Sequence, residues 1–168
     1  EYSHYLGSRE ADLRKRRELI EKALAAAPDM LRLADESRYP EIVIHAHHVF
    51  GGILASLAKI ETNSDEKKRL LEKALEHGNE PIRITKQLLP FIYWNRGVMQ
   101  SVLANLKFEL ANLTRNHEAR MNMLQEAILD EESAARLCAE DLAFHESKGV
   151  VMMTFATLGG IQYRYGDF

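Results

Sequence analysis

What the chain lacks narrows the possibilities first. A single cysteine, Cys138, stands in 168 residues, so no internal disulfide can form and a reducing compartment is the natural setting. Only four prolines and nine glycines punctuate the sequence, too few for a turn-rich β architecture. No stretch sustains the period-two alternation of a half-buried strand. No uninterrupted apolar run approaches the length of a membrane span, and no signal-peptide pattern opens the chain, which points to a cytoplasmic protein without a membrane partner. A formal net charge of −3 gives no basic face for nucleic acid. There is no HExxH metal pattern, no glycine-rich phosphate loop and no nucleophile–base pairing. Enzyme chemistry and a bound cofactor are therefore not expected.

What is present is self-similarity. Ala23-Leu24, Ala74-Leu75 and Ala127-Ile128 close matching blocks at spacings of 51 and 53 residues, preceded by Leu19-Ile20-Glu21-Lys22, Leu70-Leu71-Glu72-Lys73 and Met123-Leu124-Gln125-Glu126. The same offsets align Asp12, Asn63 and Asn116, with Asp167 a further 51 on, and align Arg32, Arg83 and Arg136. A fixed period of this size marks stacked helical units.

Apolar residues recurring at three and four make the class all-α. A short helix over about residues 2–10 leads to Asp12, an N-cap for a helix through Leu13, Arg17, Ile20 and Leu24 that resumes from Met30 to Ser37 beyond Pro28. Pro40 opens the next helix at a position where a missing N–H costs nothing. Its stripe is Ile42, Val49, Ile53, Leu57 and Ile60. Asn63 with Glu66 three residues on reads as a capping box, and Leu70, Leu71, Ala74 and Leu75 carry the buried face behind it. Gly78 and Pro81 bend that helix as Pro28 bends its counterpart. Pro90 begins a helix through Ile92, Val98, Val102, Leu106, Leu110 and Leu113. Asn116 caps a helix that no proline stops before about Glu146. Two long helices per unit, rather than three, keep equivalent helices pointing the same way. One domain over 1–168 then holds about three and a half repeats, 1–39, 40–89, 90–146 and 147–168, the last reduced to its first helix, as in a fragment of a longer protein.

The segment Leu158-Gly159 through Gly166-Asp167-Phe168, with Leu54-Ala55 and Ala74-Leu75, resembles the tetratricopeptide repeat (TPR), although the period is 51–53 instead of 34. The resemblance implies a right-handed α–α superhelix of antiparallel helix pairs, a TPR-like solenoid with an incomplete last repeat. By family position, the first helices would line a groove with Leu54, Ala58 and Glu61, then Lys107, Ala111, Thr114 and Arg115, then Leu158, Gln162 and Tyr165. The family's Lys/Asn clamp for a terminal carboxylate is missing, since Lys107 alone falls at a clamp position.

Other residue clusters have modest readings. Glu41, His45 and His48 share a helix face at ligand-like spacing, yet too few ligands converge for a metal site. Arg32, Arg83 and Arg136 each precede an acceptor at i+4 (Glu36, Gln87, Glu140), which makes solvated intrahelical pairs; the sharper alternative is a guanidinium row that grips carboxylates or phosphates. Arg14-Lys15-Arg16-Arg17 is balanced by Glu18 and Glu21. Trp94, with Phe91 and Tyr93, suits packing or a partner anchor, and Cys138 is a small core residue. Gly51-Gly52 lie inside a helix and allow close packing. An uncovered last repeat would expose Met152, Phe155, Leu158 and Ile161 and favour a homodimer through that end. The function expected is a non-enzymatic scaffold that binds a protein or peptide in the groove. The alternative is a sensor or oligomerisation arm of a larger NTPase-type regulator.

Overall fold

The computed structural model describes residues 11–88 and 96–142, with side chains for 11–87 and 96–138. Among the described residues the fold is all-α: α1 (Leu13–Ser37), α2 (Pro40–Ile60), α3 (Ser64–Leu88), α4 (Arg96–Leu113) and α5 (His117–Leu142). The chain forms two compact units, Glu1–Ile84 and Thr85–Phe168, each considered by itself. The expected helices over 2–10 and 150–161, Trp94 and its neighbours, and the proposed dimer residues Met152, Phe155, Leu158 and Ile161 lie outside the described residues.

The three aligned capping residues occupy equivalent places. Asp12 Oδ1 accepts from the backbone N–H of Arg14 at 2.9 Å and of Lys15 at 3.3 Å at the start of α1. Asn63 Oδ1 accepts from Asp65 at 3.0 Å and Glu66 at 3.1 Å at the start of α3. Asn116 Oδ1 accepts from Ala119 at 2.9 Å at the start of α5. Each satisfies N–H groups that a first helical turn leaves without carbonyl partners. The capping box forms differently from its sequence pattern. Glu66 turns forward to Arg69, and Glu61 instead accepts from the N–H of Asn63 at 2.9 Å and of Thr62 at 2.8 Å.

Pro28 and Pro81 both lie inside continuous helices, as the two-helix reading requires. Pro40 occupies the first turn of α2. Arg38, between α1 and α2, is the one non-glycine described with positive φ, at 59°. Its N–H closes the end of α1 on Asp35 O at 3.3 Å.

In the first unit α2 packs antiparallel to both neighbours. Ile44, Val49, Ile53, Leu54, Leu57 and Ala58 are buried on it, opposite Ile20, Ala23, Ala27 and Ala34 of α1 and Leu70, Leu71 and Ala74 of α3. Gly51 lets α3 come close: a Cβ there would lie 3.2 Å from Ala74 O and 3.6 Å from Gly78 N. Of the expected α2 stripe, Ile42 is 48% exposed, because it projects beside the end of α1 and not under it. By length and composition alone α2 is long and apolar enough to cross a membrane, a test that a packed core helix also passes. Its histidines and end charges interrupt every short apolar run, yet the average over the helix stays high.

In the second unit α4 and α5 are antiparallel, with Met99, Leu103, Ala104, Leu106, Leu110 and Ala111 buried against Leu124, Ala127, Ala134 and Cys138. Val98 and Val102, expected on the stripe, are only half-buried. The buried line runs through Met99, Leu103, Leu106 and Leu110, displaced around the helix toward α5. Gly97 is the closest approach, where a Cβ would meet Cys138 Sγ at 2.2 Å.

Candidate binding surfaces

The residues placed in a groove by family position divide by exposure. Leu54, Ala58 and Ala111 are buried in helix packing at 3%, 0% and 0% exposure, so they hold the fold and present no side chain at the surface. Glu61 is half-buried at the corner where α2 meets α3 and receives Arg17 of α1, with Arg17 Nη2 3.3 Å from Oε2 and bonded to Ile60 O at 3.3 Å. Backbone N–H groups of Asn63 and Thr62, then the Arg17 guanidinium, hold the Glu61 carboxyl below the usual carboxylate range. Thr114 bonds Leu110 O at 2.8 Å, and Arg115 is exposed. Leu158, Gln162 and Tyr165 lie outside the described residues.

Lys107 faces α5. Its Nζ lies 2.7 Å from Asp130 Oδ2 and 3.0 Å from Glu126 Oε2, and Gln100 Nε2 donates to Asp130 Oδ1 at 2.7 Å. Burial pulls the ammonium down, but hydrogen bonds to Asp130 and Glu126 outweigh it and hold Lys107 above its ordinary range. A lysine so engaged ties two helices together.

The arginines follow the intrahelical reading in two of three places. Arg32 reaches Glu36 at 2.9 Å and Asp29 at 3.4 Å. Arg83 turns back to Glu80, three residues earlier, instead of forward to Gln87. Arg136 is exposed, and its expected acceptor Glu140 falls outside the described side chains. Exposed pairs of this kind contribute only a few tenths of a kcal/mol.

The histidines do something the sequence did not show. His47 of α2 and His77 of α3 approach through their Nδ1 atoms at 3.1 Å, and Phe50 packs on His77 with ring centroids 4.3 Å apart. An Nδ1–Nδ1 contact needs one donor and one acceptor, so the two rings cannot both be protonated there. Burial lowers both pKa values. Glu80 and Asp35 oppose this at His47, while His47 itself adds to it at His77. His48 is lowered by burial and by His45. Among the described residues no group of three or more His, Cys, Asp or Glu side chains is arranged to hold a metal.

A surface that family position did not indicate lies between the C-terminal half of α1 and the start of α2. There an open cleft of about 510 Å³ is lined mainly by Ala26, Met30, Leu33, Ala34, Ile42 and Ala46, together with Asp29, Ser37 and His45. Leu33 is 56% exposed and Ile42 48%, so two branched aliphatic side chains stand in water side by side. The antiparallel crossing produces it: α1 and α2 are joined near Glu61 by Arg17, whereas at the other end the short Arg38–Tyr39 connection sets them side by side with small residues between. The visible signal in the sequence was Leu33, set off from the Ile20–Ala27–Ala34 line. Compared with known proteins, the chain matches no family model, no characterised protein and no solved structure.

Proposed function

We propose that this chain is a non-enzymatic, cytoplasmic protein-interaction module, a TPR-like stack of antiparallel helix pairs that takes an apolar helical segment of a partner protein into the α1–α2 cleft. The observation that carries the reading is the exposed Leu33–Ile42 pair above a floor of Ala34 and Ala46. A floor of small residues with aliphatic lips suits the apolar face of an amphipathic helix, whose anchors recur at i, i+3 and i+4. The caps at Asp12, Asn63 and Asn116, spaced as the sequence repeat requires, support the helix-pair stack. The lining is almost wholly apolar and Asp29 is already paired with Arg32, an arrangement that favours shape-driven protein contact over a convergent small-molecule pocket.

The test is selection of amphipathic helical peptides on the intact protein, with the bound site mapped by amide NMR shifts. Binding should perturb Ala26–Ala46, and Leu33→Asp with Ile42→Asp should abolish it while leaving the melting temperature unchanged, both residues being exposed. Peptides that bind equally well to the double variant, or that shift amides elsewhere, would sink the reading.

A further inference from the structure

Glu131 is the only carboxyl group buried at 0% exposure among the described residues. It lies on the apolar line of α5 formed by Leu124, Ala127, Ala134 and Cys138, where a charged residue has no packing reason to be. An ionised carboxylate is an acceptor with room for several donors, and Glu131 receives one: Ser101 Oγ of α4 donates to Oε1 at 2.8 Å. Its Oε2 is buried with no partner among the described residues.

Among the described residues the groups that act on its charge are Ser101 on α4 and Asp130 beside it on α5; the polar groups that link the two helices next to them are Gln100, Lys107 and Glu126. Gln100 is engaged by Asp130, and Lys107 by Asp130 and Glu126. The neighbouring Asp130 carboxyl adds to the cost of a negative charge at Glu131. Nor can the helices yield locally toward Ser101. One turn earlier Gly97 already brings α4 so near α5 that a Cβ would lie 2.9 Å from Ala134 O.

We propose that Glu131 is a proton-operated latch on the α4–α5 pair: the pair closes fully over the neutral carboxyl and loosens when that proton leaves. Burial, opposed by the Ser101 hydrogen bond and reinforced by Asp130, pushes the Glu131 carboxyl up to about 7 from its ordinary 4.5. The closed pair therefore holds a proton that the opened pair releases. The favourable contribution is complete below about pH 4.5 and is lost as pH rises to about 7, with the opening equilibrium climbing up to tenfold per pH unit, roughly 300-fold in all.

Amide hydrogen exchange of the intact chain across this range, corrected for intrinsic pH dependence, reads the latch directly. Protection of α4 and α5 should fall toward neutral pH and then level, and Glu131→Gln, which keeps the shape without the titration, should remove that fall. Ser101→Ala should extend the fall to higher pH before it levels, since it removes the donor that favours the ionised form in the closed pair. A flat wild-type profile, or one that Glu131→Gln leaves unchanged, overturns the proposal. Should the glutamine variant not fold, the infrared band of a protonated carboxyl decides. Its persistence in wild type at about pH 6 and loss by about pH 8 supports the latch, and its absence at about pH 6 overturns it.

Discussion

Adding one methyl group at Gly97 should separate two helices that adding one at Gly51 leaves in place. Glycine inside a helix costs about 1 kcal/mol relative to alanine, so on propensity alone both Gly→Ala changes stabilise. At Gly97 the new Cβ would meet Cys138 Sγ at 2.2 Å, and also Ala134 O and Cys138 N at 2.9 Å. Two of those three atoms are backbone and cannot turn aside. The α4–α5 pair must move apart, loosening contacts such as Ala104 on Ala127. Overpacking of this kind costs about 1–3 kcal/mol or somewhat more, and the crowding on both sides puts Gly97→Ala near the upper end. Net destabilisation should be about 2 kcal/mol. At Gly51 the nearest atom would be Ala74 O at 3.2 Å, a shift of a few tenths of an ångström, and the net effect should lie within about 0.5 kcal/mol of zero. Urea denaturation with a common slope measures both. Combining Gly97→Ala with Cys138→Ala in a double-mutant cycle removes the sulfur clash but not the backbone ones, so less than half of the loss should return. A Gly97→Ala protein as stable as wild type would refute the argument, and so would full recovery in the double variant.

Other outcomes follow from particular contacts. Asn63→Ala and Asn116→Ala should each cost about 1 kcal/mol in chemical denaturation, and Asn63→Asp much less, because only the capping acceptor is at stake. Arg38→Gly should raise stability by about 1 kcal/mol, since Arg38 holds a left-handed conformation at φ 59° that glycine adopts freely; no rise in melting temperature would count against it. The His47–His77 contact should make the first unit sensitive to acid. Both folded pKa values lie below the ordinary 6.5, so their contribution is present above about pH 6.5 and lost as pH falls through the lowered values. His77→Gln should flatten the acid limb of a melting-temperature profile, and an unchanged limb would show that the pair does not control it.

Much of the fold was readable because its signals are local. Asp12, Asn63 and Asn116 announce helix starts through short-range chemistry between a side chain and its own next turn, and Pro40 does the same from the first turn of α2. The continuity of α1 and α3 through Pro28 and Pro81 was readable by comparison with the third repeat, which has no proline there. The surfaces were harder to read because they depend on which face another helix covers. Family position selected Leu54, Ala58 and Ala111 by register, but register does not say that a neighbour buries them. His47 and His77 stand thirty positions apart, and nothing local to either implies the other. Glu131 left a trace, a carboxylate on a line of alanine and leucine at helical spacing. Its partner Ser101 has no such mark.

The Glu61 carboxylate sits where three helices come together, receiving Arg17 from α1, ending α2 and anchoring the chain into α3. Because the short Arg38–Tyr39 connection already joins α1 to α2 covalently at their other end, the Arg17–Glu61 contact fastens the open end of the hairpin. About 19 residues of α2 separate Ile42 from Glu61, a reach of roughly 28 Å, so a rotation of about 5° about the connection carries the Glu61 corner about 2.5 Å and leaves the Leu33–Ile42 lips almost where they are. The first unit is thus built like a buckled strap, its clasp at the end away from the cleft.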